Sequence, residues 1–312
     1  MRLENKKVLV TGGNSYLGKF LVPMLEKKGS EIYIPRSRDY DLTTEDAVAR
    51  LFEDSSPKVV MHLAVDCGGF KYKKENPGSM FFKNIMMNTL VQEYALRAGV
   101  EKFVGIGTSA SYPEFVSSPL KEDDLWEGLP EEFNHSYGLA KRMMGLQSKV
   151  YRQQYGLNAI HLLPVNLYGP NSPMDSNSIR IIPMFLRDFI GAKRKGKKEI
   201  ILSGTPNASR EFIYVSDCVE AIILATEQYD KSNPVNIGTG EGTTIKDLAE
   251  KVKKVVEFEG NIVWHEVPSD EQPGRVLDTS RAEKEFGFKS RTSLEEGLKI
   301  TRDWYLDSYK NP

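Results

Sequence analysis

Tyr137 and Lys141 lie four positions apart, which places a phenol and an ammonium one turn apart on the same face of a helix. A nearby ammonium favours phenolate, so the spacing predicts a tyrosine pKa below its ordinary value of about 10. Such a phenol can pass a proton to or from an oxygen atom near neutral pH. Tyr-x-x-x-Lys recurs on many surface helices, and its weight here comes from its company. Thr108-Ser109 follows the apolar run 103–106, at the sheet edge where α/β proteins bind ligands. The Thr108 hydroxyl can bond the same oxygen that Tyr137 protonates. Taken singly, Thr108 reads as a cap and Tyr137 as packing; together, behind a glycine-rich turn, they read as chemistry.

That turn is Thr11-Gly12-Gly13-Asn14-Ser15-Tyr16-Leu17-Gly18. It follows a strand and opens a helix, the context a dinucleotide fingerprint requires. Gly12 permits the tight turn and Gly18 close helix–strand packing, while the helix N-terminus offers N–H groups to a pyrophosphate. The middle position is Ser15 where glycine is usual; its hydroxyl can donate to phosphate or hold the cofactor off. Asn14, Tyr16 and Leu17 belong to the same expected cofactor surface. After the second strand the chain reads Pro35-Arg36-Ser37-Arg38-Asp39. Arg36 and Arg38 suit a 2′-phosphate and hence NADP(H), and Asp39 keeps NAD(H) as the alternative. Asp41 and Leu42 are expected beside the adenine and Ala64 under the adenosine ribose.

The elements that position these residues follow from periodicity. Short apolar runs at 7–11, 31–34, 59–63, 103–106 and 159–163 read as strands; helical patterns fall at 17–25, 44–54, 80–98 and 137–155. Strand and helix alternating in this way predict an α/β fold with a Rossmann-type, doubly wound parallel sheet. Prolines and glycines between 164 and 183 mark the chain leaving that sheet for a smaller C-terminal α/β lobe. Strands at 211–214 and 235–237 and helices at 244–256 and 294–305 follow. The expected division is a dinucleotide-binding domain over 1–168, with a return segment at about 211–237, and a mainly substrate-binding lobe over 169–312.

Composition narrows the partners. Forty-two basic against 43 acidic residues give a net charge of −1, which offers nothing to nucleic acid or an anionic membrane. No apolar run reaches the roughly 18 residues of a membrane span, and residues 1–7 show no apolar signal core. The two cysteines, Cys67 and Cys218, predict neither a disulfide framework nor a metal site. A cytoplasmic location fits these features. His135 and Cys67 fall near the expected cleft; their plainer readings are a solvent-facing loop residue and packing.

With these motifs the chain resembles the extended short-chain dehydrogenase/reductase family, the NAD-dependent epimerase/dehydratases that act on nucleotide sugars. Within it the likeness is to the GDP-L-fucose synthases. The shared pieces are Gly68-Gly69, Gly107-Thr108-Ser109 with Tyr112-Pro113, Tyr137 to Lys141, Pro164-Val165-Asn166-Leu167-Tyr168-Gly169-Pro170, Ser176-Asn177-Ser178 with Ile182-Pro183, and Arg210-Glu211-Phe212 with Val215 and Asp217. The resemblance implies that Tyr137 is the acid, that Lys141 binds the nicotinamide ribose, and that Thr108 orients the sugar oxygen. It places Asn166, Arg187 and Arg210 against the nucleotide sugar and Arg275, in Gln272-Pro273-Gly274-Arg275, against the diphosphate; Ser109 and Arg180 complete the expected substrate contacts. It also implies a homodimer across the helices that carry Met86, Met87, Met143 and Met144.

Two departures bear on the reaction. The fucose synthases carry a cysteine two residues after the catalytic Ser/Thr and a histidine before the Ile-Pro pair, for epimerisation at C3 and C5. Here the first position is Ala110 and the second Arg180 or Ile179, so epimerisation should be lost or weakened. Hydride transfer needs neither. The expectation is an NADPH-dependent reductase of a nucleotide-activated 4-keto sugar, most simply GDP-linked, without 3,5-epimerase activity. The alternatives are an NAD-dependent nucleotide-sugar 4-epimerase or C4 oxidase and, from another class, a non-catalytic NADP-binding sensor.

Overall fold

In the computed structural model, which describes residues 1–172, 180–266 and 274–309, the chain opens as a regular α/β alternation. Along it run β1 (Lys7–Thr11), α1 (Gly18–Lys27), β2 (Glu31–Tyr33), α2 (Glu45–Ser55), β3 (Val59–His62), α3 (Phe70–Glu75), α4 (Pro77–Arg97), β4 (Lys102–Ile106), α5 (His135–Tyr155) and β5 (Ala159–Pro164). Then come β6 (Asn166–Tyr168), α6 (Ile181–Arg194), β7 (Glu199–Gly204), β8 (Ser209–Tyr214), α7 (Val215–Gln228) and β9 (Val235–Ile237). The last elements are β10 (Gly242–Thr244), α8 (Ile245–Val256), β11 (Asn261–Glu266), β12 (Gly274–Arg275), α9 (Ser280–Phe286) and α10 (Leu294–Ser308).

Six strands form one sheet in the order β2-β1-β3-β4-β5-β9, every pair parallel. Successive strand residues point to opposite faces, and both faces are covered. Val8, Val10, Val59, Met61, Val104 and Ile106 pack with α1 and α7 residues in one cluster. Leu9, Val60, Phe103 and Ala159 pack with α2 and α4 residues in another. Burial on both sides is why these strands read as unbroken apolar runs rather than alternating ones. This is the doubly wound Rossmann-type sheet predicted from the sequence.

A second core gathers α6, α8 and α10 around β6, β7 and β8. Beside it lie a small sheet, β10-β8-β12 with β6 on β8, and the parallel pair β7–β11. Asp217 ties α7 to the segment before α10: its carboxylate accepts from the Ser290 and Thr292 hydroxyls and from the N–H groups of Arg291 and Thr292, at 2.7–2.9 Å. Burial favours the neutral acid, but these donors outweigh it and leave its pKa below the usual value.

Several elements lack a counterpart in the sequence reading. Within residues 215–228, Val219, Ala221, Ile222, Ile223 and Ala225 are all buried, so α7 shows a wide apolar face and only a narrow polar stripe through Ser216, Glu220 and Glu227. Helix α6 begins inside the proline-rich stretch because Pro183 falls in its first turn, where a missing N–H costs nothing. The quoted Ser176, Asn177 and Ser178, together with Ile179, Gln272 and Pro273, lie outside the described residues.

The glycine turn is tightly built. Gly12 has φ +71°, and a Cβ there would stand 2.7 Å from the Ala64 nitrogen; a Cβ at Gly18 would overlap the Gly13 carbonyl. We predict that Gly18→Ala destabilises the fold by about 1–3 kcal/mol. Gly78→Ala, whose Cβ meets nothing within 4 Å on helix α4, should be neutral or stabilise by up to about 1 kcal/mol. Denaturant unfolding of the two variants checks the contrast.

Candidate active site

One cavity of about 640 Å³ opens at the C-terminal edge of the parallel sheet and runs between the two cores. Ser15, Tyr16 and Leu17 of the glycine turn line it, as do Thr108 and Ala110 after β4, Tyr137 and Lys141 on α5, and Asn166, Arg180 and Arg210 from the second half of the chain. Its charged lining residues are Lys73, Lys141, Arg180 and Arg210; among the described residues no carboxylate lines it. The wall is therefore built for a ligand bearing several negative charges.

Tyr137 lies in the first turn of α5 and Lys141 in the next. Thr108 is extended, with φ −165° and ψ 148°, and its oxygen accepts the Ala110 N–H at 3.2 Å. Its side chain also lies close enough to Tyr137 to favour the phenolate. Both readings of Thr108 hold at once: it caps the turn, and it faces the phenol.

The expected downward shift of the tyrosine is not what the structure gives. Burial pushes the Tyr137 pKa well above its usual value, and Cys67 adds to this; Thr108 and Arg180 offset only part. Lys141 is itself only 2% exposed, and desolvation drives its pKa down to about 8. It makes no hydrogen bond or salt bridge among the described residues. A phenol with its pKa raised in this way stays protonated at neutral pH.

A buried polar chain fixes the helix that carries both residues. The Ala64 N–H donates to Thr11 Oγ1 at 3.4 Å, and Thr11 Oγ1 meets His62 Nδ1 at 2.7 Å. His62 Nε2 meets Asn88 Oδ1 at 3.0 Å, and Asn88 Nδ2 donates to the Ala140 carbonyl at 3.1 Å. Burial first, and Lys141 second, hold His62 neutral with a pKa near 3. The imidazole thus has one donor and one acceptor nitrogen, and each finds a partner. Thr11, His62 and Asn88 escaped the sequence reading because each sits in an apolar run whose pattern records only burial.

Other predicted residues fall at different distances from the cavity. Gly12, Gly18 and Ala64 form the floor of the glycine turn, and Asn14 is exposed at its tip. The Ser15 hydroxyl turns back to accept the Gly18 N–H at 3.3 Å. Arg36 and Arg38 are exposed after β2, with Arg38 3.5 Å from Asp39. Asp41 accepts from the Thr43 N–H and hydroxyl at 2.9 and 2.7 Å and so shapes the turn before α2. The Leu42 side chain is packed in the core, which leaves only its backbone for an adenine. Arg180 sits 4.9 Å from the centre of the Tyr16 ring and donates to the Leu167 carbonyl at 3.2 Å. Asn166 donates to the Glu211 carbonyl at 3.0 Å. The Glu211 carboxylate is buried and accepts the Gly240 and Leu277 N–H groups at 2.8 and 2.7 Å, which holds the Arg210 strand in place.

Three expected substrate contacts stand off the cavity. Ser109 is not in its lining; its carbonyl, like that of Tyr112, accepts from Arg275 Nη2 at 3.3 and 3.2 Å. Arg275 also pairs with Glu131 at 3.3 Å, both side chains 11% exposed. In the ligand-free structure it braces the segment behind Thr108 and is not in the cavity lining. Arg187 bonds Asp188 at 2.8 Å and lines a separate groove with Lys195, Lys197 and Lys198. Conversely, Lys73 lines the cavity without having been anticipated. It stands among Lys71 and Lys74 on a short polar helix, where nothing in the spacing sets it apart.

Residues 8–238 match the NAD dependent epimerase/dehydratase family. The chain belongs to that family. A curated relative, GDP-L-fucose synthase 1 of Arabidopsis thaliana, is 33% identical over 310 residues, covering 99% of this chain and 95% of the relative. Two solved structures from Campylobacter jejuni share its fold closely. A GDP-6-OMe-4-keto-L-xylo-heptose reductase superposes with a TM-score of 0.90 at 28% identity, covering 99% of both chains. A GDP-mannoheptose C4 reductase with NADP bound does so at 0.88 and 30% identity, covering 98% of this chain and 99% of its own. In an epimerase/dehydratase-family chain the half-buried Tyr137 and the buried Lys141 fall where the sheet edge, the glycine turn and the second core meet.

The Lys141 environment has a thermodynamic signature. An unfolded lysine titrates near 10.4, whereas here the pKa is about 8. Between those values the unfolded chain binds more protons, so native stability rises with pH across the window. Lys141→Met removes the charge: the ligand-free variant should be more stable at pH 7 by on the order of 3 kcal/mol. The gap should shrink as pH rises from about 8 to 10.5. Urea unfolding at pH 7 and pH 9.5 measures it.

Proposed function

We propose that this protein is an NADPH-dependent reductase of a nucleotide-activated 4-keto sugar, a GDP-linked hexose or a close derivative, without 3,5-epimerase activity. The observation that carries the reading is the single cavity that Thr108 and Tyr137 share with four cations, Lys141 among them, and with no carboxylate among the described residues. The GDP-sugar C4 reductases among its structural neighbours support it, as does the relation to the GDP-L-fucose synthases.

The residues present fit NADP(H). Gly12 and Gly18 leave a cradle that a Cβ would fill, and the start of α1 presents backbone N–H groups to a pyrophosphate. Arg36 and Arg38 would hold the 2′-phosphate and Lys141 the nicotinamide ribose. Bound NADPH supplies the hydride for the sugar C4 carbon. Tyr137 donates its proton to the C4 oxygen, and Thr108 hydrogen-bonds that oxygen and orients it. Arg180 and Arg210 bind the diphosphate bidentately, with Asn166 beside them. Residues 169–312 act mainly as the substrate lobe, and 211–237 return to the cofactor side.

At the position where fucose synthases carry their cysteine, the cavity wall presents Ala110, a methyl group that moves no proton. The exposed Phe81 and Phe82 of α4 and Leu146 and Val150 of α5 support a homodimer across these helices. Among the methionines expected there, Met144 is instead buried. Among the described residues no helix is long and apolar enough to cross a membrane, and a cytoplasmic location completes the proposal.

Purified protein given NADPH and GDP-4-keto-6-deoxymannose should consume the reduced nicotinamide band. Tyr137→Phe should lower kcat by about 10²–10⁴-fold. In deuterium oxide the product should carry no solvent deuterium at C3 or C5, whereas incorporation there would reinstate epimerisation. Failure to consume NADPH with this or related GDP-4-keto sugars sinks the reading, and a tightly held stoichiometric NAD would redirect it to a 4-epimerase.

A further inference from the structure

Of the four cations in the cavity wall, the reductase reading uses three: Lys141 for the ribose, and Arg180 and Arg210 for the diphosphate. Lys73 remains. Its Nζ donates to Asn134 Oδ1 at 2.6 Å and lies 5.2 Å from the centre of the Tyr137 ring and 5.7 Å from that of Phe133. Asn134 is its only hydrogen-bond acceptor among the described residues. An ammonium carries three donors, so two are left beside the proton-donating phenol, in a cavity that Lys73 itself lines.

Its position is held from both sides. Asn134 Nδ2 donates to Glu131 Oε2 at 2.9 Å, and Glu131 pairs with Arg275, the brace behind Thr108. On the other side, Tyr72 donates to Asp66 at 2.6 Å. Gly68 lets α3 pack close, since a Cβ there would stand 2.6 Å from Tyr72 Cβ. A lysine on a free surface helix is not held this way; side-chain entropy opposes it. Burial works against its charge, and Cys67 and Glu131 support it.

We propose that Lys73 is a specificity-determining residue that hydrogen-bonds an oxygen of the sugar near the reacting C4 position. The inference rests on the nucleotide-sugar reading and refines it. The favoured substrates carry a hydroxyl or carboxylate oxygen within reach of Tyr137's neighbour, and that contact is made by the sugar and not by the nucleotide. The competing role is structural: Lys73 would only support the Tyr137 ring through its face.

Calorimetric titration of the NADP-loaded protein with GDP and with GDP-mannose separates these roles. For Lys73→Met, which keeps most of the apolar stem, GDP-mannose affinity should fall about ten- to a hundredfold, with GDP affinity within about twofold of wild type. Lys73→Arg, which retains charge and donors, should recover most of the loss. Lys73→Gln serves the same comparison should the methionine variant fail to fold. Equal losses for both ligands, or no loss for either, overturn the assignment. Wild-type protein that binds neither GDP nor GDP-mannose overturns the nucleotide-sugar reading and this inference with it. GDP binding that persists without a sugar-dependent loss overturns the Lys73 assignment alone.

Discussion

A buried ammonium with no hydrogen-bond or ion-pair partner among the described residues is the constraint around which this site is organised. Lys141 is 2% exposed, and burial disfavours its charge as it disfavours the phenolate of the half-buried Tyr137. Removing a cation from water is costly unless something of opposite polarity receives it. Among the described residues none accepts a hydrogen bond from it, which leaves the ligand-free site with a demand for oxygen acceptors. The ribose hydroxyls of a dinucleotide are such acceptors. The desolvation that lowers the Lys141 pKa therefore also makes the site selective for what occupies it.

Such a site requires a helix that cannot drift, and the molecule supplies one. The chain of hydrogen bonds from Ala64 through Thr11, His62 and Asn88 to Ala140 crosses two strands and two helices, ending one residue before Lys141. Each of its polar groups is paired, which makes a buried network an aid to rigidity rather than a liability. The same strand, β1, leads into the glycine turn. The glycine turn and Tyr137 are thus registered to one another through the sheet.

The second half of the chain is coupled to this frame by buried charges. Glu211 gathers N–H groups from the 239–240 loop and from Leu277, while Arg275 and Glu131 reach behind Thr108. Removing one partner of such a pair leaves the other charge unpaired, a larger penalty than the pair's net worth. Arg210, Asn166 and Arg180 face the cleft from elements so anchored.

Sequence alone was enough for whatever is encoded by local period or by a backbone requirement. The parallel strands showed as doubly buried apolar runs, the glycine turn by its context between strand and helix, and the Tyr137–Lys141 spacing by the pitch of a helix. Each of these needs only its own neighbours along the chain. Helix α7 was hidden because a wide buried face weakens the amphipathic signal, and α6 because proline at a helix start resembles proline in a loop. Tertiary structure alone decided the charges. It raised Tyr137 where the ammonium four residues away was expected to lower it, set Arg275 against Glu131 and the carbonyls behind Thr108, and drew Lys73 out of a lysine-rich surface helix into the cleft. Ionisation and reach depend on what the fold places around a side chain and how much water it leaves there, and neither is written in spacing.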